Sequence, residues 1–164
     1  LALRQPMAGD LRNVIGAIKL AGGIERIGDL AKNIARRSLA VVDEDNREAL
    51  KGIERMGQAV SRMLQVALDA YARRDPVTAL GVLKQDDDID SRYNALLRSM
   101  LVYMAEAPEQ MSARSNFLFI VKNLERIGDH CTNIAKVVHF IATGEQIGET
   151  NPSVTASNTK EALS

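Results

Sequence analysis

Apolar residues recur along this chain at intervals of three and four, the spacing that lines one face of an α-helix. A first stretch reads Leu11, Val14, Ile18, Ala21, Ile27, Ala31 and Ile34, and a second Ile53, Met56, Val60, Met63, Ala67 and Tyr71. A third reads Ala79, Leu83, Asp86, Asp90, Tyr93, Leu97, Met100 and Met104. The fourth carries Phe117, Ile120, Val121, Leu124, Ile127, Cys131, Ile134, Val138 and Ile141. No sustained period-two alternation bounded by turn dipeptides occurs, so no strands are expected.

Breakers divide the pattern into four helices. The first is expected from Pro6, a residue suited to a first turn, to about Val41. The second follows the Asp43-Glu44-Asp45 cluster and runs to about Ala72. Asp75-Pro76 reads as an N-cap with proline at the first helical position, opening a helix to about Glu106. Ala107-Pro108 breaks that helix, Ser112 is the expected cap of the last one, and Gly144 its C-terminal glycine. Residues 145–164 are rich in Ser, Thr, Asn and Gly and are expected to be disordered. Long helices joined by short loops predict an all-α, antiparallel helical bundle.

A repeat at a spacing of 100 residues refines this picture. Ile24-Glu25-Arg26-Ile27-Gly28-Asp29-Leu30-Ala31-Lys32-Asn33-Ile34-Ala35 lies in the first helix, and Leu124-Glu125-Arg126-Ile127-Gly128-Asp129-His130-Cys131-Thr132-Asn133-Ile134-Ala135 in the fourth. Eight of the twelve positions are identical. Helical constraint can match an Ile or an Ala, but hardly a Glu-Arg-Ile-Gly-Asp string with Asn four residues later. Residues 43–144 then form a complete three-helix unit ending in the motif. Residues 1–42 supply the last helix of an earlier unit whose first two helices would lie upstream. The start at Leu1 rather than Met fits the same expectation of a fragment.

The motif carries chemistry. Glu25, Asp29 and Asn33, like Glu125, Asp129 and Asn133, stand at i, i+4 and i+8, one row on a helix face. Two like charges at i, i+4 cost an isolated helix a few tenths of a kcal/mol, and a mid-helix glycine costs about 1 kcal/mol against alanine. Gly28 and Gly128 therefore predict a close approach of another helix or a ligand. Asp86 and Asp90 interrupt an otherwise largely apolar stripe within Asp86-Asp87-Asp88-Ile89-Asp90. If the third and fourth helices are antiparallel, their carboxylate pairs could meet at one level, where hard, oxygen-preferring cations would offset the repulsion. The alternative reading is a solvated acidic surface.

Composition excludes other classes. In 164 residues, 21 basic and 21 acidic side chains cancel, so there is no basic excess for nucleic acid. The longest aliphatic or aromatic run, Phe117 to Val121, is far short of the ~20 residues needed to span a membrane. One cysteine, Cys131, cannot form an internal disulfide, which fits a reducing compartment. His130 and His139 form no Glu-x-x-His pair, and no P-loop or nucleophile motif occurs, so enzymatic chemistry has no visible carrier.

The two Glu-Arg-Ile-Gly-Asp-x-x-x-Asn-Ile-Ala segments resemble the repeated acidic motif of the PhoU family. Leu3 to Arg12 resembles the turn before that family's first motif helix, and Asp86 to Asp90 the acidic stretch on the middle helix of its second repeat. The resemblance covers roughly residues 1–148. It implies tandem three-helix bundles, here with the first incomplete, and a cytoplasmic negative regulator of phosphate uptake and phosphate-starvation signalling. It also implies a non-enzymatic adaptor between the phosphate ABC transporter and its sensor histidine kinase. By the same resemblance Asp86, Asp90, Glu125 and Asp129 are candidate metal ligands in the second bundle, and Glu25 and Asp29 in the first. The ions to consider are Mg, Mn, Fe or Zn. A carboxylate-bridged metalloenzyme and a metal-free helical scaffold are the alternatives. The first helix without its mates would expose apolar surface, so a homodimer, swapped or not, is expected.

Overall fold

A computed structural model describes residues 4–41 and 47–147, which form four helices and no strand. These are α1 (Arg4–Ser38), α2 (Arg47–Arg73), α3 (Pro76–Glu106) and α4 (Met111–Thr143), with short 3₁₀ turns at Leu39–Val41 and Pro108–Gln110. The all-helical bundle read from periodicity is the architecture that forms. The Asp43–Asp45 cluster lies outside the described residues, as does all of the tail except 145–147, which is irregular.

Local chemistry fixes most boundaries. Asp75 Oδ1 accepts from the backbone N–H groups of Val77 (2.9 Å) and Thr78 (3.1 Å), with Pro76 at the position that has no N–H to satisfy. The α2–α3 turn is tight because Arg74 takes φ 54°, which lets the Asp75 N–H reach the Ala70 carbonyl at 2.9 Å. Gly144 closes α4 at φ 80°, its N–H donating to the Phe140 carbonyl at 2.8 Å. Two expectations fail. Ser112 caps nothing: Pro108–Gln110 leads straight into α4 at Met111, and the Ser112 carbonyl accepts from the Ser115 hydroxyl inside the helix. Residues 4–12 are likewise helix, continuous with the motif, rather than a turn before it.

α4 is the axis of the molecule. α2 and α3 pack on it and on each other, whereas the backbone of α1 approaches α4 but neither α2 nor α3. α1 and α4 run antiparallel, as Gly16 beside Ile141, Gly23 beside Ile134, and Arg37 against Asn116 and Phe119 establish. The two copies of the motif therefore lie side by side at one level, related by an approximate two-fold axis. Met56, Met63, Val82, Met100, Phe117, Val121 and Val138 are fully buried within α2, α3 and α4, and Ile134 of α4 is buried against Gly23 of α1.

The expected inward rows of α2 and α4 are inward. In α1 the row is divided, and it exposes apolar surface as expected of a first helix without its mates. Ile27 is buried and Ile34 partly so, but Leu11 (60 % exposed), Val14 (57 %) and Ile18 (68 %) face out, as do Ala21 and Ala31. α1 instead turns Gly16, Leu20, Ile27 and Leu30 onto α4. This helix has two apolar faces, and the described residues supply a partner for one. In α3 the most deeply buried positions include Val82 and Ile89, which the expected stripe leaves out.

Candidate functional site

The acidic residues of α3 and α4 meet on the seam between those two helices. Ile89 of α3 is buried against Gly128 of α4: a Cβ there would lie 3.2 Å from Ile89 Cγ2 and 3.8 Å from Asp86 Oδ1. The glycine lets α3 settle close enough to bring Asp86 over the α4 motif. That contact is the close approach its position in mid-helix predicts.

Repulsion marks the site. Asp86, half-buried, has its carboxyl pushed above the usual 3.8, first by burial and then by the charges of Asp90, Asp129 and Asp87, with Lys136 opposing. Asp129 is raised for the same kind of reason: burial first, then Glu125, with Lys122 opposing and Asp90 adding to the rise. Asp86 and Asp90 of α3 thus stand in charge range of Asp129 of α4, which also feels Glu125.

Protein cations answer part of that charge. Lys122 Nζ lies 2.9 Å from Glu125 Oε1 and 2.8 Å from Oε2, with Nζ 5.1 Å from the Tyr93 ring centroid. The Lys122 ammonium is held above its ordinary 10.5, chiefly by its hydrogen bond to Glu125. Arg92 and Asp88 pair at 2.7 Å on the exposed side of α3. A metal would meet oxygen donors of the right hardness here. Their arrangement does not close around one, because among the described residues no group of three or more His, Cys, Asp or Glu side chains is placed to hold an ion.

Glu25 and Asp29 are not part of this seam. Both stand exposed on α1, and a Cβ on Gly28 between them would meet nothing within 4 Å. Asn33 Oδ1 accepts from Arg36 Nη2 at 2.9 Å. The first copy of the motif has the residues of the second without the helix that crosses it.

Two further ionisable groups lie beside the motif on α4. Cys131 is buried and burial pushes its thiol up to about 12, so it carries no thiolate at neutral pH. His130 is pushed below 6.5, first by burial and then by the Arg26 and Arg126 cations. The basic residues that confront the motif, Lys122 and Lys136 on α4 and Arg26 on α1, were not legible as a set in the sequence. Each is an ordinary surface-type residue until the helix register places it.

No helix among the described residues is long and apolar enough to cross a membrane. The sequence model of the PhoU domain matches residues 1–38 and 53–138. A Caulobacter vibrioides protein called phosphate-specific transport system accessory protein PhoU homolog is 46 % identical over 155 residues, covering 94 % of this chain and 67 % of that protein. The Zymomonas mobilis protein of the same description is 47 % identical, covering 91 % of this chain and 63 % of its own length. The crystal structure of PhoU from Pseudomonas aeruginosa superposes with a TM-score of 0.79 at 39 % identity, over 86 % of this chain and 68 % of that one. That of the phosphate transport system regulatory protein PhoU from Streptococcus pneumoniae gives 0.77 at 27 % identity, over 85 % and 66 %. The chain thus spans about two thirds of the length of these relatives. On the match to the domain and the identity to these relatives, the chain belongs to the PhoU family.

Proposed function

We propose that this chain is part of a cytoplasmic accessory regulator of phosphate uptake, a non-enzymatic helical adaptor that represses phosphate-starvation signalling when phosphate is plentiful. Its partners on this reading are components of the phosphate ABC transporter and the sensor histidine kinase coupled to it. The observation that carries the reading is the 46 % identity over 155 residues to a protein named as an accessory of that transport system. Two features support an adaptor over an enzyme. The one cysteine is buried and protonated, and Glu125 of the second motif copy is paired with Lys122. α1 also offers an apolar face of the kind that binds other proteins.

The test is genetic and biochemical. A strain lacking its own regulator is given this chain or the longer protein that contains it, and a starvation-responsive reporter is read in phosphate-rich medium. Restored repression, with capture of the transporter ATPase subunit or the kinase cytoplasmic domain on the purified protein, is the expected result. Full repression without either contact would overturn the adaptor, and an unrepressed reporter from the longer protein would overturn the regulatory role.

A further inference from the structure

The approximate two-fold between α1 and α4 gives every residue in their shared groove a counterpart 100 positions away, and the two ends of the groove differ. At one end the basic side chains are engaged. Arg37 lies over the Phe119 ring at 4.1 Å and donates to Asn116 Oδ1 at 3.0 Å, while Lys122 is paired with Glu125. At the other end Lys19 stands where the repeat has Phe119, and Gly22 and Gly23 stand where it has Lys122 and Asn123. The loss of those side chains leaves a cavity of about 500 Å³. Lys19, Arg26, His130, Asn133 and Lys136 line it, and a smaller cavity of about 180 Å³ continues past Lys19 and Lys136 toward Gln146.

The charge there is one-sided. No Asp or Glu lines either cavity. Among the described residues Lys19, Arg26 and Lys136 make neither a hydrogen bond nor an ion pair. Acidic side chains gather on the α3–α4 seam and basic ones on the α1–α4 groove, with Lys136 of α4 in range of both. Single surface lysines are ordinary. Here three exposed cations from two helices flank one open concavity with an exposed amide beside them, and hydrogen bonds between charged partners are the strong ones. The volume lies in the range of small-ligand sites.

We propose that the α1–α4 groove binds a phosphoryl-type oxyanion carrying at least two negative charges, held by Lys19, Arg26 and Lys136, with the Asn133 amide as a neutral donor. Free phosphate, pyrophosphate and the phosphate chain of a nucleotide share this chemistry. The site borders the acidic seam at Lys136, whose charge Asp86 feels, and it does not depend on the adaptor reading.

Isothermal titration calorimetry at low ionic strength, with chelator present, tests it using inorganic phosphate, pyrophosphate and ATP as separate probes. The expected result is one saturable site that is tighter for pyrophosphate or ATP than for phosphate, with the Gly22 and Gly23 amide resonances moving on titration. Loss of two charge-assisted contacts in Lys19→Ala/Arg26→Ala should weaken binding at least about tenfold. Arg62→Ala, exposed on α2 and away from the groove, should leave it unchanged. ATP bound much more tightly than pyrophosphate would assign the nucleotide as the source; equal affinities would assign the bare phosphoryl group. No saturable binding of any probe, or an unchanged affinity in the double variant, would overturn the site.

Discussion

Gly28 and Gly128 hold the same position in two copies of one motif, yet only Gly128 has a neighbour: Ile89 of α3 packs on it, while Gly28 faces open space. The difference is made by which helices cover each copy. Leu124, Cys131 and Ala135 are buried, and their counterparts Ile24, Ala31 and Ala35 are exposed. Gly28→Ala should therefore stabilise the chain by about 0.5–1 kcal/mol, the helix-propensity gain with nothing to clash. Gly128→Ala should destabilise it by about 1 kcal/mol net, because Ile89 is buried and β-branched and cannot rotate away. Urea unfolding of the two variants checks both signs; equal shifts would mean that α3 does not seat on Gly128 as described.

The acidic seam makes a pH prediction. Asp86 and Asp129 are both raised in the folded chain, so the fold binds their protons more tightly than the unfolded state does. Their contribution is fully present below 3.8 and is lost as pH rises through their elevated values. Asp86→Asn and Asp129→Asn should then raise the thermal midpoint at pH 7 and lose that gain at pH 3. Asp75 has the opposite sign: the Thr78 hydroxyl, more than its N–H, holds it low, so its contribution fades as pH falls. Thermal scans of Asp86→Asn and Asp75→Asn across this range separate the two.

How much of this was legible beforehand follows from where the information resides. The Asp75-Pro76 cap, the Gly144 stop and the inward rows of α2 and α4 depend on residues a few positions apart, and periodicity reads them. The repeat correctly marked Gly128 as a place of close approach. It could not tell Gly128 from Gly28, because that depends on α3 crossing one copy and no helix crossing the other. The missing mates of α1 predict exposed apolar surface, found at Leu11, Val14 and Ile18, but not that Leu20 and Leu30 turn onto α4: a helix with two apolar faces shows one period and does not say which face is covered. The basic groove needed the antiparallel register of α1 and α4, which no local pattern carries, whereas the i, i+3 pair of Lys122 with Glu125 did not.

That charge balance also bears on metal. The seam has carboxylates but no three of its ligand-type side chains placed around an ion, and Glu125 already has Lys122. Mg or Mn should raise the thermal midpoint only at millimolar concentration, by screening Asp86, Asp90 and Asp129, and Asp90→Ala/Asp129→Ala should abolish the effect. Mass spectrometry of protein purified without chelator should find no stoichiometric ion. A retained ion that disappears in the double variant would show that the seam rearranges into a ligand set.

Arg74 pays for the short α2–α3 turn in backbone strain: it is a non-glycine residue at φ 54°, where Cβ crowds the following carbonyl. The conformation persists because it lets the Asp75 and Arg74 N–H groups reach the last carbonyls of α2, at Ala70 and Tyr71. Arg74→Gly relieves the crowding and keeps both bonds, so it should stabilise the chain by roughly 1 kcal/mol. Arg74→Val, bulkier near the backbone, should do the reverse. Chemical denaturation decides, and a neutral glycine variant would mean that the turn carries no strain.

The exposed face of α1 sets the last expectation. Met7 and Val14 stand seven residues apart, as do Leu11 and Ile18, and all four are more than half exposed. That spacing is the seam a helix presents to another helix. Beyond Ala21 the row reaches the exposed carboxylates Glu25 and Asp29, so the apolar seam is confined to the first half of α1. A second copy brings a matching face, and two such helices side by side would bury a self-complementary patch without disturbing α4. Light scattering coupled to size-exclusion chromatography should give a dimer at micromolar concentration, and Leu11→Glu/Ile18→Glu should give a monomer with unchanged helix content. A wild-type monomer would show that this face is left for a different partner, and a dimeric double variant would place the interface elsewhere.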